Sequence, residues 1–331
     1  MSGTLPTLRA CELEASPAGR RWLIEDLWAS EGVGIVGGEP KCCKSFLALD
    51  MAVAVASGAA CLRRFAVTAP GGVLLYAAED APHLVRGRLE GICRAAGAEF
   101  DHLDIHVITA PSLRLDRGED QRRLLETAQA MRPRLLVLDP FVRLHGIDEN
   151  AAAEVAFVLG YLRGLQRSFQ MAVVLVHHAR KGAAGARAGQ ALRGSSELHA
   201  WGDSNLYLRR RGERLSLTVE HRAAAGREGL VLELRAEGEA LALRVTEEDS
   251  DKTPAPLDQD PPSPSSLDRV VRALAHASGP LPHRELRRLC QMRTSSLGAA
   301  LATLAAQGRI LRSAQGYELA GQVRFPFPTS L

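Results

Sequence analysis

Residues Gly38 to Phe46 (GEPKCCKSF) have the types and spacing of a phosphate-binding loop. Such a loop wraps backbone N–H groups around a phosphate at the N-terminus of a helix, where the helix dipole favours an anion. We expect Lys44 to reach the β- and γ-phosphates of ATP, and the Ser45 hydroxyl to bind Mg²⁺. The nucleotide contacts are expected from Gly38, Glu39, Pro40, Lys41, Cys42, Cys43, Lys44, Ser45 and Phe46. An accidental lysine-rich turn is the alternative interpretation.

Cys43 is the one departure from this pattern, because it occupies the position of the second glycine. If the backbone takes an unusual φ there, a side chain costs roughly 1–3 kcal/mol. The departure bears on the rate of hydrolysis rather than on the fold.

Two carboxylates follow apolar runs that read as strands of a parallel sheet. Glu79, with Asp80 after it, follows GVLLYA, and a carboxylate there can orient and polarise an attacking water. Asp139 ends LLVLD, the Walker B form that places a carboxylate near Mg²⁺. The alternatives are a solvated acidic pair at 79–80 and a helix-capping aspartate at 139.

Two adjacent histidines, His177 and His178, end a further apolar run. Because neighbouring residues of a strand point to opposite faces, one of them could face a γ-phosphate and sense its hydrolysis. A buried histidine with satisfied hydrogen bonds is an equal alternative for either residue.

These residues require a repeating strand–helix order, which the sequence supplies. Continuous apolar strands that alternate with helices predict an α/β fold with a mostly parallel sheet covered on both faces. The predicted strands are Val33–Val36, Gly72–Ala77, Ile105–Thr109, Leu135–Leu138 and Ala172–His177, and the helices are Lys44–Ser57, His83–Ala96, Glu119–Met131 and Ala152–Gln166. Three alternating segments, Asn205–Leu208, Leu215–Glu220 and Leu230–Leu234, are predicted to extend the sheet as antiparallel strands. Before the first strand, Trp22 to Trp28 is a short amphipathic run.

The chain of 331 residues is long enough for this core and a second, smaller domain. We expect an ATPase domain over residues 1–246, and a flexible linker over 247–266, where six acids and five prolines leave little to pack. Residues 267–331 are predicted to form three helices and a hairpin, the pattern of a winged helix-turn-helix. That part carries nine arginines and three acids, whereas the whole chain has a net charge of only +3. The excess of positive charge favours an anionic partner.

The order of these motifs resembles that of RepA-type hexameric replicative helicases, within the RecA/DnaB superfamily of P-loop ATPases. It includes the turn Asp148-Glu149-Asn150 and the run Arg193-Gly194-Ser195-Ser196, and it covers about residues 20–236. The resemblance implies a RecA-type core in which Lys44 and Ser45 bind nucleotide and Mg²⁺. It also implies that Glu79 is the catalytic base, Asp139 holds the Mg²⁺ shell and His178 is the sensor.

Relatives of this kind form rings, so the resemblance implies a homo-oligomer, a hexamer, with ATP bound between subunits. A neighbouring subunit then supplies an arginine finger, for which Arg222 is the first choice. A glutamate, Glu220, stands where the relatives carry a lysine two residues earlier. The alternative fingers are Arg193, Arg209, Arg210 and Arg211.

A cationic segment follows the histidines, where the matching loop of RecA-type rings faces the channel and binds DNA. Its cations are Arg180, Lys181, Arg187 and Arg193, and residues 179–196 contain no acid. Mobile cations that read no bases predict sequence-independent, salt-sensitive binding of single-stranded DNA. A solvated surface loop is the alternative.

The predicted third helix of the C-terminal unit, Ser295–Gln307, has no Arg or Lys to reach base edges. Arginines flank it at positions 287, 288, 293, 309 and 312. Two partners are therefore open for this unit: duplex DNA, bound through its phosphates, or a protein. We expect a cytoplasmic protein, because the six cysteines have neither metal-ligand nor disulfide-framework spacing and read as reduced thiols. We expect no membrane span, because Asp50 interrupts the longest apolar stretch. Three functions fit: a helicase-like DNA motor, a non-motor ATP switch that recruits a partner, or a signalling scaffold.

Overall fold

A computed structural model of the chain describes residues 7–12, 21–178, 196–238, 240–246, 264–277, 279–290, 292, 294–313 and 315–320. The contacts divide the chain into two compact units, residues 1–252 and 253–331. The larger unit is an α/β layered structure, and the smaller one is a helical unit with a hairpin.

The larger unit is built on one nine-stranded sheet with the order β11-β10-β9-β8-β3-β7-β6-β4-β5. The six strands from β8 to β5 are parallel, and β9, β10 and β11 continue the sheet antiparallel to their neighbours. The strands are β3 (Val33–Gly38), β4 (Val73–Ala77), β5 (Ile105–Val107), β6 (Leu135–Asp139), β7 (Ala172–His178), β8 (Ser204–Arg211), β9 (Arg214–His221), β10 (Arg227–Glu237) and β11 (Ala240–Val245).

Helices cover both faces of this sheet, as the continuous apolar strands predict. One face packs against α1 and α2, and the other against α3 and α4, so each face has its own buried core. The helices are α1 (Lys44–Ser57), α2 (Pro82–Ala96), α3 (Gly118–Met131), α4 (Ala152–Phe169) and the short α5 (Ser196–Trp201). This architecture confirms the predicted α/β fold class, with a mostly parallel sheet covered by helices on both faces.

Helix α1 carries a fully buried acid, Asp50, in the middle of its apolar stretch. Its carboxylate accepts a hydrogen bond from the Leu62 N–H at 2.7 Å and pairs with Arg63 at 2.5 Å. Because a buried charge is tolerated only when it is paired, these contacts fasten the segment after α1 to the middle of the helix.

Two features of the sheet differ from the sequence prediction. Ser204–Arg211 is parallel to β3 and antiparallel only to β9, so the parallel sheet contains one more strand than predicted. Strand β11 was missed, because Ala240–Val245 follows β10 after a tight turn and its pattern is too short to stand out.

The amphipathic run Trp22–Trp28 contributes to an antiparallel pair, β1 (Trp22–Ile24) and β2 (Trp28–Ala29). The side chains of Leu23, Ile24, Leu27 and Trp28 are buried.

The smaller unit contains α6 (Pro264–Ala275), α7 (His283–Cys290) and α8 (Thr294–Ala306), followed by β12 (Ile310–Ser313) and β13 (Gly316–Leu319). The two strands form an antiparallel hairpin, and Tyr317 exchanges backbone hydrogen bonds with Leu281 at 2.9 Å. Its own core includes Val270, Leu286, Leu297, Leu304 and Ile310. The unit therefore has the three helices and hairpin that the sequence predicts.

Across the described residues of both units, every helix is too short or too polar to cross a membrane.

Candidate nucleotide-binding site

The predicted phosphate-binding loop runs from the end of β3 into α1, at the carboxyl edge of the parallel strands. At its start, Gly38 has φ +154°, and a Cβ there would lie 2.3 Å from the Leu208 carbonyl oxygen. At its end, Cys43 precedes α1 with φ 66° and ψ 25°, the left-handed conformation that glycine adopts without strain. The loop therefore keeps the backbone shape of a glycine-containing loop although a cysteine stands there.

Lys44 begins α1 and is almost entirely buried. Its Nζ donates a hydrogen bond to the Glu39 carbonyl oxygen at 2.8 Å, so the side chain curls back over the loop. Burial lowers the pKa of Lys44, while Cys42 and Asp139 oppose that shift. A desolvated ammonium group at the N-terminus of a helix is suited to a phosphate.

Ser45 and Asp139 meet at the same edge, where the Ser45 hydroxyl donates a hydrogen bond to the carboxylate. Burial is the main cause that raises the pKa of Asp139 to about 6; Asp80 and Glu79 act in the same direction, and Ser45 and Lys44 act against it. A hydroxyl beside a desolvated carboxylate, with further carboxylates near, is a donor set that fits a hard divalent cation such as Mg²⁺. The positive charge of the cation would balance the negative charge of these carboxylates.

Glu79 lies just beyond β4, whose last residue Ala77 is in register with Asp139. Its carboxylate accepts a hydrogen bond from Arg143 Nε at 2.9 Å, with both side chains largely exposed. Asp80 pairs instead with Arg88, whose guanidinium lies 5.3 Å from the ring centre of Phe46. The two acids therefore have separate arginine partners, and Glu79 is the one held by the segment that follows β6.

The two histidines at the end of β7 point to opposite faces, as strand alternation predicts. His177 is buried beside Phe141, with ring centres 5.8 Å apart. His178 is in register with Gly38 and is only partly buried. The structure thus brings His178 to the start of the phosphate-binding loop, together with Lys44, Ser45 and Asp139.

Arg222 lies elsewhere in the core, directly after β9 and at the opposite edge of the sheet. Its backbone N–H donates to the Asp203 carbonyl oxygen at 2.9 Å, and its guanidinium donates to the Ala200 carbonyl oxygen at 2.5 Å. At that place it could act only on a nucleotide bound by another subunit. The predicted DNA-binding residues Arg180, Lys181, Arg187 and Arg193 lie outside the described residues.

Two residues that the sequence interpretation gave no role at the chain's own nucleotide site lie within it. Arg143 contacts Glu79. The only sequence feature that could have indicated this contact is that Arg143 is a basic residue four positions after Asp139. Arg210 donates to the Cys43 Sγ at 3.3 Å. The sequence placed Arg210 only among the alternative fingers, because the register of β8 against β3 cannot be read from a single chain.

The fold and this site define a P-loop ATPase with a RecA-type core. Residues 3–184 match the AAA_25 family, described as an AAA domain, and the chain belongs to that family. Membership implies nucleotide binding, usually with Mg²⁺, and ATPase activity.

Two solved structures are similar to this chain. One is a DnaB-like replicative helicase, described with its interactions with primase, at 13% identity and a TM-score of 0.49. The match covers 64% of this chain and 57% of the helicase, so the chain spans less than two thirds of that protein. The other is a KaiC-like protein from Pyrococcus horikoshii OT3, at 15% identity and a TM-score of 0.46, covering 68% of this chain and 93% of that one.

The raised pKa of Asp139 predicts a cost in stability that substitution removes. An unfolded aspartate ionises near pH 3.9, so between about pH 4 and 6 the folded protein binds the extra proton and stability falls as pH rises. At pH 7.5, Asp139→Asn should therefore raise the free energy of unfolding of the nucleotide-free protein by roughly 1–3 kcal/mol. The gain should shrink by about 1 kcal/mol at pH 5, where the folded carboxyl is largely protonated.

Urea denaturation at the two pH values measures both effects. Asp101→Asn is the matched control, because Asp101 is exposed. Equal effects of the two substitutions, or a gain that does not depend on pH, would contradict the electrostatic cost assigned to Asp139.

Proposed function

We propose that the chain is an ATP-hydrolysing, DNA-associated ring protein, a helicase-like motor in DNA replication or recombination. The observation that carries the ATPase part is the convergence of Lys44, Ser45, Asp139 and His178 at one edge of the sheet. Strand register places that edge beside the start of the cationic segment, which follows His178 directly.

Each side chain at this edge has a distinct role in the proposal. Lys44 and the loop N–H groups hold the β- and γ-phosphates of ATP, and Ser45 and Asp139 hold Mg²⁺. Glu79 accepts a proton from the attacking water, and its bond to Arg143 orients the carboxylate. His178, in register with Gly38, senses the γ-phosphate. Phosphoryl transfer depends on positioning and charge stabilisation. One subunit therefore supplies every role that hydrolysis needs except that of the arginine finger.

Lys44→Ala and Glu79→Gln should separate binding from turnover. We expect Lys44→Ala to abolish nucleotide binding, because the ammonium is the buried cation of the loop. Glu79→Gln should bind ATP normally and lose hydrolysis by about 100-fold or more, the range of a general base.

Fluorescent-nucleotide titration and phosphate-release kinetics measure the two quantities. Glu90→Gln is the matched control for turnover, since Glu90 is on α2 and pairs with Arg86 at 2.7 Å. Hydrolysis by Glu79→Gln at the wild-type rate would remove Glu79 from its role.

We further propose that the active form is a homo-oligomer, a hexamer, in which Arg222 reaches the nucleotide of a neighbour. The position of Arg222 at the edge opposite its own phosphate-binding loop supports an action in trans. In the single chain, Asp203 lies 3.6 Å from the Arg222 Nε, so reaching a neighbour's phosphate requires Arg222 to exchange these partners.

Mixing two inactive variants tests the trans role. Arg222→Ala should bind ATP and fail to hydrolyse it, whereas a mixture with Lys44→Ala should regain part of the activity. In the mixture, an Arg222→Ala subunit supplies a nucleotide site with an intact Lys44, and a neighbouring Lys44→Ala subunit supplies an intact Arg222. Arg222→Ala that hydrolyses ATP at the wild-type rate would exclude it as the finger, and an active strict monomer in sedimentation would exclude the ring.

The DNA part of the proposal rests on Arg180, Lys181, Arg187 and Arg193, in a segment without acids. The segment lacks aromatic side chains, so phosphate contacts rather than base stacking would supply the affinity for single-stranded DNA. The C-terminal unit, which we propose to be a winged helix, would add a contact to duplex DNA or to a protein.

Replacing Arg180, Lys181 and Arg187 together by alanine should weaken single-strand binding and lower the slope of log affinity against log salt by roughly 2. The matched control replaces Arg86, Arg122 and Arg235, each of which pairs with a glutamate on the surface, and removes the same charge. Fluorescence anisotropy at several salt concentrations gives both slopes. If the two triple variants lose affinity equally, the DNA site lies elsewhere.

A non-motor ATP switch or scaffold, which recruits a replication, recombination or signalling partner, is the second candidate. The strained Cys43 in the loop and the separate C-terminal unit favour it. A strand-displacement assay distinguishes the candidates, because a motor unwinds duplex DNA and a switch hydrolyses ATP without unwinding.

A further inference from the structure

The turn between β8 and β9 concentrates positive charge beside the phosphate-binding loop. Arg209, Arg210 and Arg211 end β8, and Arg214 begins β9. In the strand register, Arg211 stands directly opposite Arg214, and like charges in that position destabilise a pair of strands. The turn also holds Glu213, so the four arginines and this one acid leave a net charge of +3.

Strand register directs Arg210 toward the loop. Because β8 is parallel to β3 and Leu208 is in register with Gly38, Arg210 lies two residues past the point where the loop begins. Leu206 and Leu208 belong to the core that packs against α1, so the alternation of side chains places Arg210 on that face too. Its Nη2 lies 3.3 Å from the Cys43 Sγ.

The contact with the thiol uses only a small part of the hydrogen-bonding capacity of the guanidinium group. A thiol sulfur is a weak acceptor, whereas guanidinium carries five donors in a planar fork that matches a phosphate. Cys43 occupies the position immediately before Lys44, inside the loop expected to surround the phosphates. The contact therefore places the Arg210 guanidinium beside the residue that precedes the buried Lys44.

We propose that Arg210 binds a phosphate oxygen of the nucleotide held by its own subunit, as a second cation beside Lys44. The inference rests on the proposed function of the loop as a nucleotide site, and it adds a binding residue to that site. It also assigns Arg210 a role in cis, unlike a finger that acts on a neighbour.

The inference is tested by the affinity for a fluorescent ADP analogue, which is not hydrolysed. Arg210→Ala should weaken binding roughly 10- to 100-fold, the range of one charge-assisted contact, and Arg210→Lys should recover part of the loss. Arg235→Ala is the matched control for affinity, because Arg235 is on the surface of β10 and pairs with Glu233 at 2.8 Å. Equal affinities of Arg210→Ala and Arg235→Ala would overturn the proposal.

Inorganic tripolyphosphate, used as a competitor, separates a phosphate contact from a base contact. Its affinity should fall in Arg210→Ala by about the same factor as that of the ADP analogue. If wild type and Arg210→Ala bind tripolyphosphate with equal affinity, the guanidinium contacts another part of the nucleotide and the proposal is wrong.

A mixture of Arg210→Ala with Lys44→Ala separates cis from trans. For a contact in cis, the site of each subunit lacks one of the two cations, so the mixture should hydrolyse no more ATP than the two variants measured apart. Regained hydrolysis would overturn the assignment in cis. The failure of the proposed function is visible separately, because Lys44→Ala would then bind the ADP analogue as wild type does.

Discussion

The parallel register of β3 with β7 on one side and β8 on the other is the constraint on which the rest of the site depends. Gly38 is in register with His178 and with Leu208, so β3 and β7 end together where the phosphate-binding loop begins, and β8 continues for three more residues beside it. The approach of β8 leaves no room for a side chain at Gly38, because a Cβ would meet the Leu208 carbonyl oxygen. Packing of the sheet therefore fixes both the identity of that residue and the direction of the loop.

Electrostatics at this edge work against the stability of the empty protein. Lys44 is nearly buried, Asp139 is desolvated enough to raise its pKa to about 6, and Cys43 takes a left-handed backbone conformation. Each feature costs free energy in the absence of a ligand, and phosphate with a divalent cation would neutralise the first two. The groups of the site are already desolvated in the empty protein, so little reorganisation is needed when a nucleotide binds.

Much of the core could be predicted from sequence, because buried parallel strands are continuous apolar runs and each is followed by a helix. The order of Lys44, Asp139 and His178 after their strands was sufficient to place them at one edge. What could not be predicted depends on pairing between distant strands. The parallel direction of β8, and with it the contact between Arg210 and Cys43, follows from a register that leaves no local pattern. The bond between Arg143 and Glu79 likewise joins two loops that are 64 residues apart.

The described residues on either side of the cationic segment belong to two different parts of the core. Its first residue follows His178, beside Gly38 and the phosphate-binding loop. It ends at α5, where Trp201 donates a hydrogen bond to the Leu159 carbonyl oxygen at 3.0 Å and accepts one from Arg163 at 2.6 Å.

Arg163 also pairs with Asp203 at 2.5 Å, and Asp203 accepts a hydrogen bond from the Val33 N–H at 3.1 Å, at the amino end of β3. Asp203 also lies 3.6 Å from the Arg222 Nε, so this one carboxylate is close to α4, to the amino end of β3 and to the residue that follows β9. In the proposed ring, an Arg222 that turned to a neighbour's nucleotide would leave this carboxylate. Asp203 would then still be held by Arg163 and by the Val33 N–H, so the core would keep its position while Arg222 changed partners.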